Sequence, residues 1–200
     1  MNEEATVFLV DDDPAVLRSL AATVRVVFPR VEIFSSSAEF LAGMHANRPG
    51  CLVLDVAMPG MNGLELQRKL IRDKVALPVI FVTGHANVPM AVEAMQLGAV
   101  NFLEKPVEEQ KLWESIRKAL ELDAQNRRRR ARRQGAEERL ARLTVGEREV
   151  LNLILEGKLN KEIAAELSLS TRTVEDRRAR LMKKMAAQSL AELVQLVMTH

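Results

Sequence analysis

The chain has a single cysteine, Cys51, and three histidines, His45, His85 and His200, scattered over 200 residues. One thiol permits no internal disulfide, and histidines so spaced do not make a zinc site. Cys51 therefore reads as a small core residue. Long apolar runs are also missing: the longest stretch without Asp, Glu, Lys or Arg, Val75 to Val92, contains Pro78, Gly84, His85, Asn87 and Pro89. A lipid-exposed helix does not accommodate that mixture, so neither a membrane span nor a membrane partner is expected. The opening Met-Asn-Glu-Glu is acidic and passes directly into the strand-like Ala5 to Val10. It lacks the basic region and apolar core of a signal peptide, and a cytoplasmic protein is expected. No Walker A sequence, GxGxxG loop or nucleophile elbow is present, which excludes kinases, dehydrogenases and hydrolases of those kinds; no enzyme is expected.

What is present describes an ordinary globular chain, 48% hydrophobic and 28% charged, long enough for one large domain or two small ones. The net charge of +2 conceals an asymmetry. Residues 1–123 hold 12 Lys+Arg against 17 Asp+Glu, a balance of −5, and residues 124–200 hold 17 against 10, a balance of +7. A basic module attracts nucleic acid by releasing phosphate counterions, although basic surfaces are also often only solvated faces.

The acidic part alternates short apolar runs with helix-period segments. Thr6 to Val10 precedes the amphipathic Pro14 to Val27; the later pairs are Val31–Phe34 with Ala38–Met44, Cys51–Leu54 with Leu64–Arg72, Val79–Val82 with Val88–Leu97, and Asn101–Leu103 with Val107–Leu122. Five βα repeats predict an α/β domain at 1–123, a flavodoxin-like doubly wound five-stranded parallel sheet whose central strands are apolar on both faces. Residues 124–142, with six arginines between Arg127 and Arg133, read as a partly helical linker. Residues 143–200 read as a small all-α domain of four helices, with capping boxes at Thr144/Glu147 and Ser189/Glu192 and an N-cap at Asn160.

Ligands of open α/β sheets bind beyond the carboxyl ends of the strands. There the apolar runs end in Asp11-Asp12-Asp13, Asp55, Thr83-Gly84 and Lys105-Pro106. Clustered carboxylates repel one another without a cation, and oxygen ligands on a rigid rim suit Mg²⁺. A carboxylate so neutralised can attack a phosphoryl group in line while a lysine stabilises the transferring oxygens. Asp13 before Pro14 reads as a helix cap and stays outside the site. His85 reads as a solvent-facing loop residue.

At these residues the sequence resembles the receiver domain of two-component response regulators: Val-Asp-Asp-Asp-Pro at 10–14, Leu-Asp-Val-Ala-Met-Pro-Gly-Met-Asn-Gly at 54–63, Val-Thr-Gly at 82–84 and Glu-Lys-Pro at 104–106. The resemblance implies Asp55 as phosphoacceptor, Asp11, Asp12, Asp55 and the backbone carbonyl of Ala57 as Mg²⁺ ligands, Thr83 as switch hydroxyl, Lys105 as phosphate-contacting lysine and Phe102 as switch aromatic. Ala57 and His85 occupy positions that in this family influence how fast water removes the phosphoryl group, and a methyl at 57 cannot orient that water. An atypical phosphate lifetime is expected.

In the helical part, Val150, Leu151, Ile154 and Leu155 form one apolar stripe and Ile163, Ala164 and Leu167 another. Between Thr171 and Met185, Val174, Leu181 and Met185 share a face, opposite Arg172, Asp176, Ala179 and Lys183. Two helices joined by a tight turn, the second polar outward, suit a major groove. This half resembles the LuxR-type helix-turn-helix, with Leu-Thr-x-x-Glu-Arg-Glu-Val-Leu at 143–151, Asn-Lys-Glu-Ile-Ala at 160–164 and Ser-x-Arg-Thr-Val-Glu at 170–175, and the whole chain resembles a FixJ-type response regulator. The resemblance implies base-facing Glu175, Asp176 and Ala179, flanked by Arg180, and phosphate-holding Lys161, Arg172, Thr173 and Lys183. It also implies a dimer helix carrying Leu190, Leu193, Val194 and Val197, whose alternative reading is packing within the domain. Gly146 stands where the family usually has arginine, and Arg177 where it usually has histidine. Residues 143–200 hold 9 Lys+Arg against 8 Asp+Glu, so most of the basic excess lies in the linker.

The expected function is that of a response regulator transcription factor. A partner sensor histidine kinase would supply the phosphoryl group for Asp55 in a Mg²⁺-dependent reaction, shifting the chain toward a homodimer that grips double-stranded DNA. One alternative is a DNA-binding regulator whose receiver is a phosphorylation-independent dimerisation module. Another is an aspartyl-phosphate phosphatase, which would need a second acid two residues after Asp55, where Ala57 stands.

Overall fold

The computed structural model describes residues 5–44 and 48–198. His45 and His200 lie outside the described residues, so of the three histidines only His85 is placed. The chain forms two compact units, Met1–Arg127 and Arg128–His200.

In the first unit the described residues form β1 (Thr6–Val10), α1 (Pro14–Arg25), β2 (Val31–Phe34), α2 (Ser37–Gly43), β3 (Gly50–Leu54), α3 (Gly63–Arg72), β4 (Val79–Thr83), α4 (Val88–Gln96), β5 (Asn101–Glu104) and α5 (Glu109–Ala141), which runs on past this unit. The strands pair in parallel in the order β2-β1-β3-β4-β5. This is the doubly wound sheet that the sequence predicts. Every residue of β1, β3 and β4 is buried, whereas the edge strands β2 and β5 are only partly so. Side chains alternate between two cores. Val7, Leu9, Cys51, Val53, Ile80 and Val82 pack with Leu17, Ala21, Leu112 and Ile116 of α1 and α5. On the other face Phe8, Val10, Leu52, Leu54 and Phe81 pack with Phe40, Leu66, Leu70 and Ala94 of α2, α3 and α4. Cys51 is wholly buried, and that burial pushes its thiol pKa up.

The helix α5 corrects the reading of 124–142 as a partly helical linker, since it continues for 33 residues through Ala141. Asp123, 2% exposed, accepts from the Gly50 N–H at 3.0 Å and from Arg127 Nε at 2.7 Å. This ties the helix to the start of β3 four residues beyond the boundary expected at 123.

In the second unit α5 is followed by α6 (Val145–Leu155), α7 (Asn160–Glu166), α8 (Thr171–Met185) and α9 (Leu190–Met198). Val150, Leu151, Ile154, Ile163, Ala164, Val174, Leu181, Met185 and Leu193 make its core. Thr144 and Glu147 form the expected capping box. At α9 the Ser189 hydroxyl accepts from Glu192 N as expected, but the Glu192 carboxylate accepts from the Gln188 N–H rather than from residue 189. Asn160 is not an N-cap. Leu159 holds the extended capping conformation, and Asn160 is already helical, with its Oδ1 accepting from Arg178 Nη1 at 2.9 Å. No described helix is long and apolar enough to cross a membrane.

Candidate functional site

Strand ends bring Asp11, Asp55, Thr83 and Lys105 to one rim of the first unit. Hydrogen bonds across the sheet fix the levels: Asp55 N donates to the Val10 carbonyl at 2.9 Å, and Lys105 N to the Thr83 carbonyl at 2.9 Å. Lys105 then closes the cluster. Its Nζ lies 2.6 Å from Asp11 Oδ2 and 2.9 Å from Asp55 Oδ1. Asp11 and Asp55 are 2% and 5% exposed, so the ammonium is the counter-charge that makes burying two carboxylates tolerable.

Burial pushes the Asp11 carboxyl above its ordinary pKa, only partly opposed by the Lys105 hydrogen bond and by the Asp13 N–H at 3.0 Å. Burial also works against the Lys105 ammonium, but hydrogen bonds to Asp11 and Asp55 outweigh it and hold the lysine above its usual range. The Asp11 carboxylate is therefore poised to gain from further positive charge nearby.

Two backbone features aim Asp55. The Ala57 N–H donates to Asp55 Oδ2 at 2.6 Å, leaving Oδ1 toward Lys105. The first residue of α3, Gly63, donates to the Val56 carbonyl at 3.0 Å, and a Cβ there would stand 2.2 Å from the Asp55 carbonyl oxygen. Any side chain at 63 would force α3 away from the acceptor loop. Sequence reasoning missed this positioning role, for which the only available signal was the Asn-Gly pair at the helix start.

The remaining predicted residues sit as follows. Thr83 is wholly buried, and its Oγ1 accepts from the His85 N–H at 3.3 Å and donates no hydrogen bond among the described residues. His85 is exposed, as expected. Asp13 caps α1 through Ala15 N at 2.7 Å. Asp12 is exposed, with no side-chain hydrogen bond or ion pair among the described residues, and Ala57 is exposed beside the acceptor. Phe102 is half-buried on β5, its ring 6.0 Å from that of Phe81, away from the direct Lys105 contacts. Among the described residues no three His, Cys, Asp or Glu side chains are gathered so as to hold a metal ion, so the expected grouping of Asp11, Asp12 and Asp55 is not assembled as a metal site, although carboxylate and carbonyl oxygens are the kind of donor Mg²⁺ takes.

In the second unit Val174, Leu181 and Met185 bury one face of α8. Arg172, Glu175, Asp176, Ala179, Arg180 and Lys183 are exposed on the rest of it, as is Lys161 on α7. Thr173 is half-buried, its hydroxyl 2.8 Å from that of Ser170, the N-cap of α8. The two departures from the family pattern meet: a Cβ on Gly146 would lie 2.5 Å from Arg177 Nη1, so the Arg177 guanidinium fills the space above a glycine that has no side chain. The assignment of Leu193 to a dimer face is corrected, because it is wholly buried in the unit's own core. Val197 packs against that core, Val194 is half-buried and Leu190 is 44% exposed.

Family comparisons agree with both units. Residues 7–117 match the response regulator receiver domain, and residues 141–197 match the bacterial regulatory proteins of the luxR family. The chain is 42% identical over 195 residues to the response regulator protein TodT of Pseudomonas putida, covering 97% of this chain and 86% of that one. It is 43% identical over 199 residues to the transcriptional regulatory protein FixJ of Azorhizobium caulinodans, covering 99% and 94%. The solved structure of the response regulator StyR superposes with a TM-score of 0.89 at 41% identity, covering 98% of this chain and all of that one. With a receiver fold ending in an acidic, lysine-bridged rim and a helix-turn-helix that turns a polar helix outward, this chain belongs to the response regulators that join a receiver domain to a LuxR-type DNA-binding domain.

Proposed function

We propose that Asp55 accepts a phosphoryl group from a partner sensor histidine kinase, and that its arrival controls binding of double-stranded DNA by α7 and α8. The observation that carries this reading is the bridge from Lys105 Nζ to both Asp11 and Asp55, which presents one oriented carboxylate beside an ammonium. Asp55 attacks the phosphorus in line, a P–O bond forms as the donor's P–N bond breaks, and the proton ends on the departing imidazole. Lys105 swings its ammonium from the carboxylates onto the transferring oxygens. Mg²⁺ held by Asp11, Asp12, Asp55 and the Ala57 carbonyl would offset the charge of the carboxylates and the phosphoryl group. The Thr83 hydroxyl then donates to a phosphoryl oxygen, and β4 and β5 move with it at Phe102.

DNA is engaged through α7 and α8, with Glu175, Asp176 and Ala179 at base edges, Arg180 flanking them, and Arg172, Thr173, Lys183 and Lys161 at phosphates. A homodimer would set two such helices on two half-sites. A phosphatase is disfavoured because Ala57 offers no acid beside the acceptor. Incubation of the full chain with a small phosphodonor and Mg²⁺ tests the site: one phosphoryl group per chain, decaying slowly and absent in Asp55→Asn, is expected. Rapid multiple turnover, or labelling that survives the substitution, would overturn it.

The second reading, a receiver that dimerises without phosphate, draws on the exposed apolar stripe Val88, Val92 and Met95 of α4, which are 76%, 48% and 49% exposed. Unchanged oligomeric state and DNA affinity in Asp55→Asn under phosphorylating conditions would favour it.

A further inference from the structure

We infer that Arg128, Arg129, Arg130 and Arg132 form a second phosphate-binding surface for double-stranded DNA, outside the helix-turn-helix, and this rests on the reading that the second unit binds DNA. Three observations converge on it. First, these residues belong to the same compact unit as α6 to α9, and the end of α5 is rooted there. Ala136 is 3% exposed, Leu140 packs against the core, and Arg139 Nη1 donates to the Met185 carbonyl at 3.3 Å. Arg148 reaches the Leu140 carbonyl at 3.0 Å, and Lys184 the Arg142 carbonyl at 3.2 Å.

Second, the direction is favourable. At about 100° per residue, Arg128, Arg129 and Arg132 fall within about 80° of the side on which Ala136 packs, whereas Arg130 points about 120° from it. At about 1.5 Å per residue they stand roughly 6 to 12 Å along the helix from that anchored turn.

Third, the cations are uncommitted. All four side chains are exposed, and none makes a hydrogen bond or ion pair among the described residues. Their neighbours are committed, Arg127 to Asp123 and Arg133 to Glu137. A helix serving only as a solvated spacer gains from opposite charges one turn apart, and self-repulsion of four unpaired guanidinium groups is a cost that a polyanion removes. The helix-turn-helix itself has little charge to offer: residues 143–200 carry 9 Lys+Arg against 8 Asp+Glu. Its contacts can select bases while the arginines supply counterion release.

The test is a salt series of DNA binding by the full chain, on a selected site and on a random duplex, comparing wild type with R128Q/R129Q/R130Q/R132Q. Glutamine keeps the helix, which circular dichroism verifies. Four phosphate contacts correspond to a loss of about 3 to 4 in the slope of log affinity against log salt, with weaker binding to both duplexes and an unchanged preference between them. Equal slopes and affinities would overturn the inference, as would normal DNA binding with defective transcription, which would assign the arginines to an acidic protein. A wild-type chain that binds neither duplex would instead remove the underlying reading, so the two failures are distinguishable.

Discussion

The two units use side chains in opposite ways. In the first, the side chains proposed to carry the function, Asp11, Asp55 and Thr83, are all at most 5% exposed and stand around one lysine. In the second, buried residues only hold α8 in place, and the predicted contacts other than the half-buried Thr173 are exposed side chains. A buried polar cluster depends strongly on each member, because removing one leaves its partners unsatisfied. An exposed contact surface is additive, and each member contributes a modest share. Single substitutions are therefore decisive in the receiver and graded in the DNA-binding module.

That contrast can be broken by mutation. The largest effect is expected for Lys105→Ala, which leaves the Asp11 and Asp55 carboxylates facing each other without their ammonium; phosphoryl uptake from a small donor should fall about a hundredfold or more. A change below tenfold would show that the bridge is dispensable. Leu181→Ala removes a wholly buried side chain from α8 and should destabilise the second unit by about 2 to 5 kcal/mol, read by denaturant unfolding, while labelling of Asp55 is preserved. Loss of labelling would mean that the units do not behave separately.

Glu147→Gln gives a smaller, pH-dependent effect. The Glu147 carboxylate is held below its ordinary pKa by Lys184 Nζ at 2.6 Å and by the Thr144 N–H. The folded state thus favours the ionised form, so this contribution is present above the ordinary glutamate range and is lost as pH falls through the lowered value. The stability difference between wild type and E147Q should therefore be full at pH 7 and shrink in acid; a constant difference would contradict it. Smallest is Arg172→Ala on the exposed face of α8. Stability should change by no more than about 0.5 kcal/mol, while the salt slope of DNA binding falls by about 1.

How much of this was legible in the sequence follows the same division. The sheet was legible because β1, β3 and β4 are buried on both faces and so read as unbroken apolar runs. The rim was legible because parallel strands bring four chain-distant ends together. What escaped depended on contacts without periodicity. The Gly63 approach to the Asp55 carbonyl is a matter of backbone packing, and the Gly146–Arg177 contact joins positions 31 apart. The arginine run carried charge but no helix signal strong enough to show that α5 continues through it. Its helical state reflects anchoring at both ends, through Asp123 and Arg127 on one side and Ala136 and Leu140 on the other. Leu193 shared a stripe with Leu190 and Val194, and periodicity alone cannot tell a domain core from a dimer face.

The most direct test of the central claim compares DNA affinity of wild type and Asp55→Asn, each with and without a small phosphodonor and Mg²⁺. Phosphodonor should tighten binding by the wild type at least tenfold and leave Asp55→Asn unchanged. Equal affinity in all four conditions would contradict it.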